Sequence, residues 1–402
     1  MFIITQYFPP EVGASASRWS DFVEILVKQN YNVTVLCEAP HYPNTKYFSG
    51  FKNSWLSVDK KSSKLTILRS KAFASNRKSF IKKITHYLVF MFSAILNFNK
   101  VKNYDLLIIS SPPLFTGIIG LYAKKFYKKN FWLDIRDLWP DSVFELGQIR
   151  RGLLFSLSKK LEKKIYETAA GFIYPVPGFR NYLINFSDKV ASKPMHELMN
   201  GVSKEFLKKY ISCKDSNEKC FTVLYSGNMG LAQDLETLIA AAKILKDYKI
   251  SFTFVGEGVC KQKIVSLSQS ISEKINFYEP VNREKLIKHI KRSSVCIVPL
   301  KNRKLFESAL PSKMFEYMAC ERPIIVGVKG EAKKIVEQAK AGIAIEPEDP
   351  VALSEAILEY YNSSQKCKID GKNGMIYVTN NLSKEVLISN MMSKIKIEQK
   401  TL

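Results

Sequence analysis

Phe221-Thr-Val-Leu-Tyr-Ser-Gly-Asn-Met-Gly-Leu-Ala-Gln-Asp-Leu-Glu-Thr-Leu-Ile239 reads as strand, glycine turn and helix in that order. Phe221–Tyr225 is a short apolar and β-branched run, Gly227 and Gly230 punctuate the turn around Asn228, and helical periodicity begins near Asp234. Glycine lets the backbone come close to a ligand, and the following helix N-terminus favours negative charge, so this junction is suited to a phosphate group. The next strand, Ser251–Val255, ends in Gly256-Glu-Gly258 and repeats the logic. Near the start of the chain, Phe2–Thr5 runs through Gln6-Tyr-Phe-Pro-Pro to Gly13, just before a helix that starts near Ser15. None of these turns is a Walker A or GxGxxG motif, and each alone reads equally well as a tight turn. Three of them together are a stronger signal.

The same alternation continues in both directions. In the first half, strands are predicted at Asn32–Cys37, Leu65–Arg69, Asp105–Ile109, Phe131–Ile135 and Gly171–Tyr174. In the second half they are predicted at Ile275–Tyr278, Val295–Val298, Ile324–Val326 and Ile343–Ile345, with helices at Leu235–Lys246, Arg283–Arg292, Lys313–Ala319 and Val351–Tyr360. Short apolar strands alternating with helices specify parallel sheets covered on both faces. The fold class is therefore α/β: two Rossmann-like, doubly wound domains facing a cleft, with ligands outside the carboxyl ends of the strands. The Asn200-Gly201 turn divides residues 1–200 from residues 201–383.

Composition narrows the function. The 402 residues carry a net charge of +24, with +15 in residues 1–200 and +9 in residues 201–402. Such a surface attracts anionic lipid, phosphorylated substrate or nucleic acid. Aromatic residues do not interleave with the basic ones and no nucleic-acid motif occurs, so nucleic acid is not an expected partner. The seven cysteines are scattered without a CxxC pair, and the four histidines have no metal-ligand spacing, so neither a disulfide framework nor a metal is expected. The apolar start Met1–Ile4 reads as a first strand rather than a leader, and with the free cysteines it points to the cytoplasm.

Arg77–Lys102 places an apolar run, Tyr87–Leu96, between basic flanks. Ten residues are too few to span a bilayer, leaving a buried core helix or one lying in the membrane interface. A second basic amphipathic helix puts Leu153, Leu154, Leu157, Leu161 and Ile165 on one face beside Lys159, Lys160, Lys163 and Lys164, and basic pairs recur at Lys124-Lys125 and Lys128-Lys129. This repetition favours an anionic membrane surface as a partner.

Two segments carry candidate chemistry. In Leu310-Pro-Ser-Lys-Met-Phe-Glu-Tyr-Met-Ala-Cys-Glu-Arg-Pro-Ile-Ile325, Ser312 can cap a helix and Glu316 falls in its first turns. Glu316 can accept hydrogen bonds from two sugar hydroxyls or simply complement the helix dipole. In Asp134-Ile-Arg-Asp-Leu-Trp-Pro-Asp141, Asp137 can orient or deprotonate an acceptor hydroxyl, or serve a structural Asp–Arg pair beside Trp139. The segment has no DxD triplet, so a metal-held diphosphate is not suggested; helix N-termini and cations take that role.

With FPPEVGASASR, SPPLFTG, DIRDLWPDS, NGV, YSGNMGLAQDLETLI, FVGEG, VPL, PSKMFEYMACERPII and GEAKKIVEQAKAGIAIEPEDPVALSEAI in this order, the chain resembles glycosyltransferase family four, the retaining GT-B enzymes. Within it, the resemblance is to bacterial capsule and O-antigen transferases, including N-acetyl-L-fucosaminyl transferases. It implies a UDP-sugar donor, such as UDP-N-acetyl-L-fucosamine, in the C-terminal domain and an undecaprenyl-diphosphate-linked saccharide at the N-terminal domain. It also implies work at the cytoplasmic face of a bacterial membrane without a metal, and a last helix, about Lys384–Lys396, that returns to the first domain. In this family Glu316 corresponds to the second acid of an E-x7-E motif, which holds the nucleotide ribose. The first acid falls at Ser308, with Glu307 one place off, and the family's diphosphate-binding Arg and Lys fall near Asn228 and Gln233. Lys313, Arg303 and Arg18 are the alternative cations. The implied donor site is thus Gly13, Arg18, Gly227, Asn228, Gly230, Gly256, Gly258, Ser312, Lys313 and Glu316, with Asp137 and Glu316 as the catalytic pair. A GT-B nucleotide-sugar epimerase and a non-catalytic protein binding anionic membranes are the alternative functions.

Overall fold

The computed structural model describes residues 1–11, 13–41, 46–75, 80–101, 103–145, 147, 152–213 and 220–401. The chain divides into two compact units, Met1–Met199 with Ile388–Leu402, and Asn200–Leu387. Val12 of the first glycine turn, and Arg77 and Lys102 at the ends of the basic-flanked stretch, lie outside the described residues.

The first unit is built on β1 (Phe2–Ile4), β2 (Val33–Glu38), β3 (Leu56–Ser62), β4 (Leu65–Ser70), β5 (Leu107–Ser111), β6 (Trp132–Ile135), β7 (Gly171–Tyr174) and β8 (Met195–Glu197). Their order is β3-β4-β2-β1-β5-β6-β7-β8, so the direction of winding reverses between β1 and β5. The helices of this unit are α1 (Ala14–Lys28), α2 (Phe80–Asn97), α3 (Thr116–Tyr127), α4 (Asp141–Glu145), α5 (Leu153–Thr168), α6 (Pro177–Ile184) and α7 (Asp188–Ala191). Phe2, Ile3 and Ile4 are fully buried, as are Ile108, Ile109 and Leu133 in the neighbouring strands, which is why these strands read as unbroken apolar runs. The expectation of a purely parallel sheet fails at β3, which pairs antiparallel to β4. Its sequence, LSVDKKS, is largely polar and half-exposed, the composition of a charged edge strand rather than a buried one.

The apolar run of α2 is divided between core and surface. His86, Phe90, Met91, Ser93, Ala94 and Asn97 are buried, while Ile81, Phe92 and Leu96 are exposed. The helix therefore packs on the sheet with one face and shows apolar side chains with the other. On α5, Leu153, Leu154 and Leu157 are exposed and Ile165 is fully buried, so its stripe passes from solvent into the core. No helix of the described residues is long and apolar enough to cross a membrane.

The second unit comprises α8 (Lys204–Ser212), β9 (Phe221–Ser226), α9 (Leu235–Ile244), β10 (Ile250–Val255), α10 (Lys261–Leu267), β11 (Ile275–Tyr278), α11 (Arg283–Arg292), β12 (Val295–Pro299), α12 (Ser312–Ala319), β13 (Ile324–Gly327), α13 (Glu331–Ala339), β14 (Gly342–Ala344), α14 (Pro350–Asn362) and α15 (Ser364–Asn381). All its strands are parallel, in the order β11-β10-β9-β12-β13-β14. This is the doubly wound arrangement, with its switch point between β9 and β12. Val223, Tyr225, Phe252 and Phe254 from the sheet pack with Leu238 and Ile239 of α9 and Leu353 and Ile357 of α14 in one core. The last helix, α16 (Lys384–Thr401), begins in this unit, and from Ile388 onward it belongs to the first. There Glu398 meets His196 at 2.8 Å and Lys396 lies over the Tyr31 ring.

In β7, a Cβ built on Gly171 would stand 2.5 Å from the Trp132 ring, which is itself 2% exposed and stacked on His196. Because a packed core cannot absorb extra atoms without strain, Gly171→Val should destabilise the first unit by about 1–3 kcal/mol. Thermal melting against wild type reads this directly; an unchanged melting temperature would refute the packing argument.

Candidate functional site

In the second unit, the loops after β9 and β10 are stacked backbone on backbone. Gly227 N–H donates to Val255 O at 2.8 Å, Met229 N–H to Glu257 O at 2.8 Å, and Cys260 N–H to Met229 O at 2.9 Å. The contact leaves no room for side chains: a Cβ on Gly256 would stand 2.0 Å from Gly227 O, and one on Gly258 would stand 2.4 Å from Met229 O. Gly256, at φ 147°, is also in a region that side-chain-bearing residues avoid. Gly256 and Gly258 therefore make the loops stack, a structural use of the Gly-x-Gly pattern. Gly227 and Asn228 are the exposed part of the turn, and Gly230 is buried beneath it.

Gly227, at φ 119°, is the point of closest approach to α12: a Cβ there would be 3.1 Å from Lys313 Nζ. The Lys313 ammonium rests 3.8 Å from the centre of the Tyr225 ring, a cation–π contact worth on the order of 1 kcal/mol. Burial pulls the Lys313 pKa down to about 7, opposed by the negative charge of Glu316 one helical turn away. Tyr317, the residue after Glu316, is fully buried and its hydroxyl accepts from Ser226 N–H at 2.8 Å. That bond holds α12 to the end of β9. Lys313 and Glu316, both partly buried, are thus gathered at the carboxyl edge of β9, where the strand order reverses.

The remaining nominated residues fall out as follows. α12 begins at Ser312 itself, with Pro311 in the capping position and no side-chain cap, so Ser312 is not the N-cap. The loss follows from Pro311, whose extended backbone already turns the chain into the helix. Gln233, where a cation was expected, accepts the Gly230 N–H at 3.1 Å and braces the turn. Arg303 is exposed, and its guanidinium donates to the Asn302 carbonyl at 3.1 Å. Glu307 and Ser308 lie in a 3-10 turn, Lys304–Ser308, whose Glu307 carbonyl would be only 1.9 Å from a Cβ on Gly330.

Gly13 and Arg18 lie in the first unit. Gly13 is exposed and extended at φ 160°, a conformation open to any residue, and its carbonyl accepts the Ser17 N–H at 2.9 Å. Arg18 is 8% exposed: it pairs with Asp134 at 3.2 Å and donates to Leu198 O at 3.0 Å. Asp134 also accepts from Ser110 at 3.0 Å. This occupancy fits a cation that ties α1 to the sheet better than the diphosphate-binding role nominated from sequence, because removing one partner would strand a buried charge.

Asp137 follows the end of β6. Burial raises its pKa, against the Ser142 hydroxyl, the Leu138 N–H and the Arg136 charge. Next to it, Ile81, Ile84, Phe115, Trp139, Pro140 and Leu154 contribute to an apolar groove of about 320 Å³. Asp141, next to Pro140 of the groove, belongs to a half-buried polar cluster absent from the sequence reading. Lys159 binds Asp141 at 3.0 Å and Glu162 at 2.5 Å, and the Tyr182 hydroxyl bonds both carboxylates at 2.9 Å. Burial pushes Glu162 up to about 7 despite Lys159. In sequence, Glu162 sits in the lysine-rich stripe of α5 and looks solvated.

Two doubly wound units of this kind define the GT-B fold. Sucrose-phosphate synthase from Thermosynechococcus elongatus superposes with a TM-score of 0.78 at 17% identity, over 100% of this chain and 99% of that one. Anabaena HepE, solved with UDP, superposes with a TM-score of 0.63 at 12% identity, over 98% and 99% of the two chains. Residues 208–375 match the family of glycosyl transferases group 1, a match that lies within the second unit, and the chain as a whole has the GT-B fold. In sequence it is similar to the putative colanic acid biosynthesis glycosyl transferase WcaI of Escherichia coli (strain K12), 22% identical over 378 residues, 87% of this chain and 89% of that one.

The environment of Lys313 makes a direct prediction. Carbon-labelled lysine NMR should show one ε-carbon titrating with a midpoint near 7, and Lys313→Arg should remove that signal. A midpoint in the ordinary lysine range, above about 10, would contradict the geometry.

Proposed function

We propose that this chain is a retaining transferase that moves a sugar from a UDP-sugar to a lipid-linked saccharide in bacterial surface polysaccharide synthesis. The observation that carries the reading is the pairing of Lys313 and Glu316 beside the Gly227 turn at the switch point of the second sheet. In this reading the exposed Gly227–Asn228 backbone and the Lys313 ammonium receive the diphosphate, and the Glu316 carboxylate accepts hydrogen bonds from two ribose hydroxyls. The UDP found with HepE supports the choice of nucleotide, and the name of WcaI supports polysaccharide synthesis. UDP-N-acetyl-L-fucosamine is the first donor to screen, on the sequence resemblance. Loss of the leaving diphosphate and arrival of the acceptor take place on one face of the donor sugar, and the departing phosphate takes the acceptor proton.

The acceptor belongs to the first unit in this reading. Asp137, with its raised pKa, orients the acceptor hydroxyl, and the neighbouring apolar groove receives the lipid part of an undecaprenyl-diphosphate-linked saccharide. The exposed Ile81, Leu153, Leu154 and Leu157, with Lys160, Lys163 and Lys164 exposed on the same helix as the leucines, support peripheral docking on the anionic cytoplasmic leaflet. No metal enters this reaction scheme; the charge on the diphosphate is met by Lys313 and backbone N–H groups.

Calorimetric titration with UDP, with GDP as control and no added metal, tests the donor half. UDP should bind selectively, and Glu316→Ala should weaken it by about 10–100-fold while the fold persists, the range expected for hydrogen bonds to a charged group. The protonated Lys313 is the form that attracts diphosphate, so binding raises its pKa above the free value of about 7. Affinity should therefore be full below pH 7 and decline as the pH rises through it, with a proton taken up per UDP bound at pH 8. UDP affinity unchanged in Glu316→Ala would remove the ribose assignment.

For the acceptor half, Asp137→Asn should leave UDP binding intact and lower turnover with a lipid-linked acceptor by about a hundredfold or more. Wild-type turnover in that variant would take Asp137 out of the mechanism.

A further inference from the structure

Three residues remote from one another in sequence meet inside the first unit. Glu38 ends β2, His41 follows three residues later, and His86 lies in α2. One ligand-type atom from each lies within 4.8 Å of the other two, and all three side chains are 0% exposed. The Glu38 carboxylate reaches both rings, at 3.4 Å from His86 Nε2 and 3.8 Å from His41 Nδ1. A second buried carboxylate, Glu11, stands 3.8 Å from His41 Nδ1 and accepts the His41 backbone N–H at 3.1 Å.

The hydrogen bonds around the rings set their tautomers. His86 Nδ1 is 2.9 Å from the Phe73 carbonyl, which can only accept, so the proton is on Nδ1 and the Nε2 lone pair faces Glu38. His41 is arranged differently: its Nδ1, the nitrogen that faces Glu38, also lies 3.1 Å from the Ala39 carbonyl and donates to it without a metal, so a cation at Nδ1 takes the place of that proton and moves the tautomer to Nε2. At His86, the backbone carbonyl behind the ring is the arrangement that orients metal-ligating histidines.

Gln6, just after β1 and 1% exposed, completes the cluster. Its amide nitrogen is 2.7 Å from His86 Nε2 and 2.8 Å from Glu38 Oε2, whereas its buried Oε1 has no hydrogen-bond partner among the described residues. A half-turn of the amide would bring Oε1 to the position facing Glu38 and His86. Without a cation that state is unfavourable, because three acceptors would confront one another. With a cation among them, the orphaned oxygen becomes a ligand.

We propose that Glu38, His41 and His86, joined by the Gln6 carbonyl oxygen, form a structural site for a divalent transition metal of the zinc class. Two nitrogen and two oxygen donors suit a four-coordinate zinc ion. A divalent charge also offsets the two carboxylates of Glu11 and Glu38, which are costly to bury as anions. Full burial leaves no open position for a substrate, so the metal staples the carboxyl ends of β1 and β2 to α2 and takes no part in sugar transfer.

The test uses the full chain, stripped with a chelator and titrated with Zn²⁺ by calorimetry, with Co²⁺ as a visible-absorption probe of coordination. The wild type should bind one equivalent, its melting temperature should rise with Zn²⁺, and Co²⁺ should give the intense bands of a four-coordinate site. Glu38→Gln and His86→Gln should each weaken binding by more than about tenfold, and His289→Ala, a histidine of the second unit, should leave it unchanged. X-ray absorption of the zinc-loaded wild type should count two imidazoles, which keeps the proposal testable if a cluster variant fails to fold. Folded wild type that binds neither ion would overturn it, as would binding that survives in both cluster variants; the residues would then form a hydrogen-bonded network only.

Discussion

The stacking of the two glycine turns governs the second unit. Gly227 and Met229 donate main-chain hydrogen bonds to Val255 and Glu257, and Cys260 donates back to Met229, across the ends of β9 and β10 and the loops that follow them. Their backbones run closer than any side chain would permit. Because the strands end at fixed register, this contact determines where the exposed Gly227–Asn228 backbone sits at the carboxyl edge of the sheet. α12 is then pinned to the same edge by the Tyr317–Ser226 bond, and Lys313 and Glu316 arrive beside the turn as a consequence.

That constraint also explains the unusual charge distribution. A lysine held over the Tyr225 ring and away from water is easier to deprotonate than a surface lysine, so its pKa falls toward neutrality. Such a group is stabilised when an anion arrives. At the two positions where the sequence resemblance places cations, the Gln233 side chain braces the Gly230 turn and the Asn228 main-chain carbonyl accepts from the Tyr225 hydroxyl at 2.5 Å. In the proposed reaction, Lys313, reached from the opposite side of the turn, supplies the charge for the diphosphate.

The first unit follows a different logic, in which buried polar groups tie elements together. Arg18 and Asp134 join α1 to β6, the Lys159–Glu162–Asp141–Tyr182 cluster joins α4, α5 and α6, and the Glu38–His41–His86 cluster joins β2 to α2. The first two pair opposite charges locally, as burial of charge requires. The three clusters leave the outer faces of α2 and α5 free to be apolar and basic, since the stability of those helices comes from their inner faces.

Reading the chain alone determined the alternation of strands and helices, because parallel strands buried on both faces must be apolar runs and glycine must mark their turns. Phe221–Ile239 and Phe254–Gly258 therefore declared the doubly wound class and the position of Gly227, and the helical phase of residues 312–319 placed Lys313 and Glu316 one turn apart. The polar edge strand β3 stayed hidden, because its side chains meet solvent and leave no apolar period. Only the tertiary structure decided that Gly256 and Gly258 serve packing, that Arg18 is committed to Asp134, and that Lys313 lies over Tyr225. Only it brought His86 to Glu38 and His41. These are contacts between residues far apart in the chain, and no local periodicity encodes the distance between two side chains that meet only after the sheets have wound.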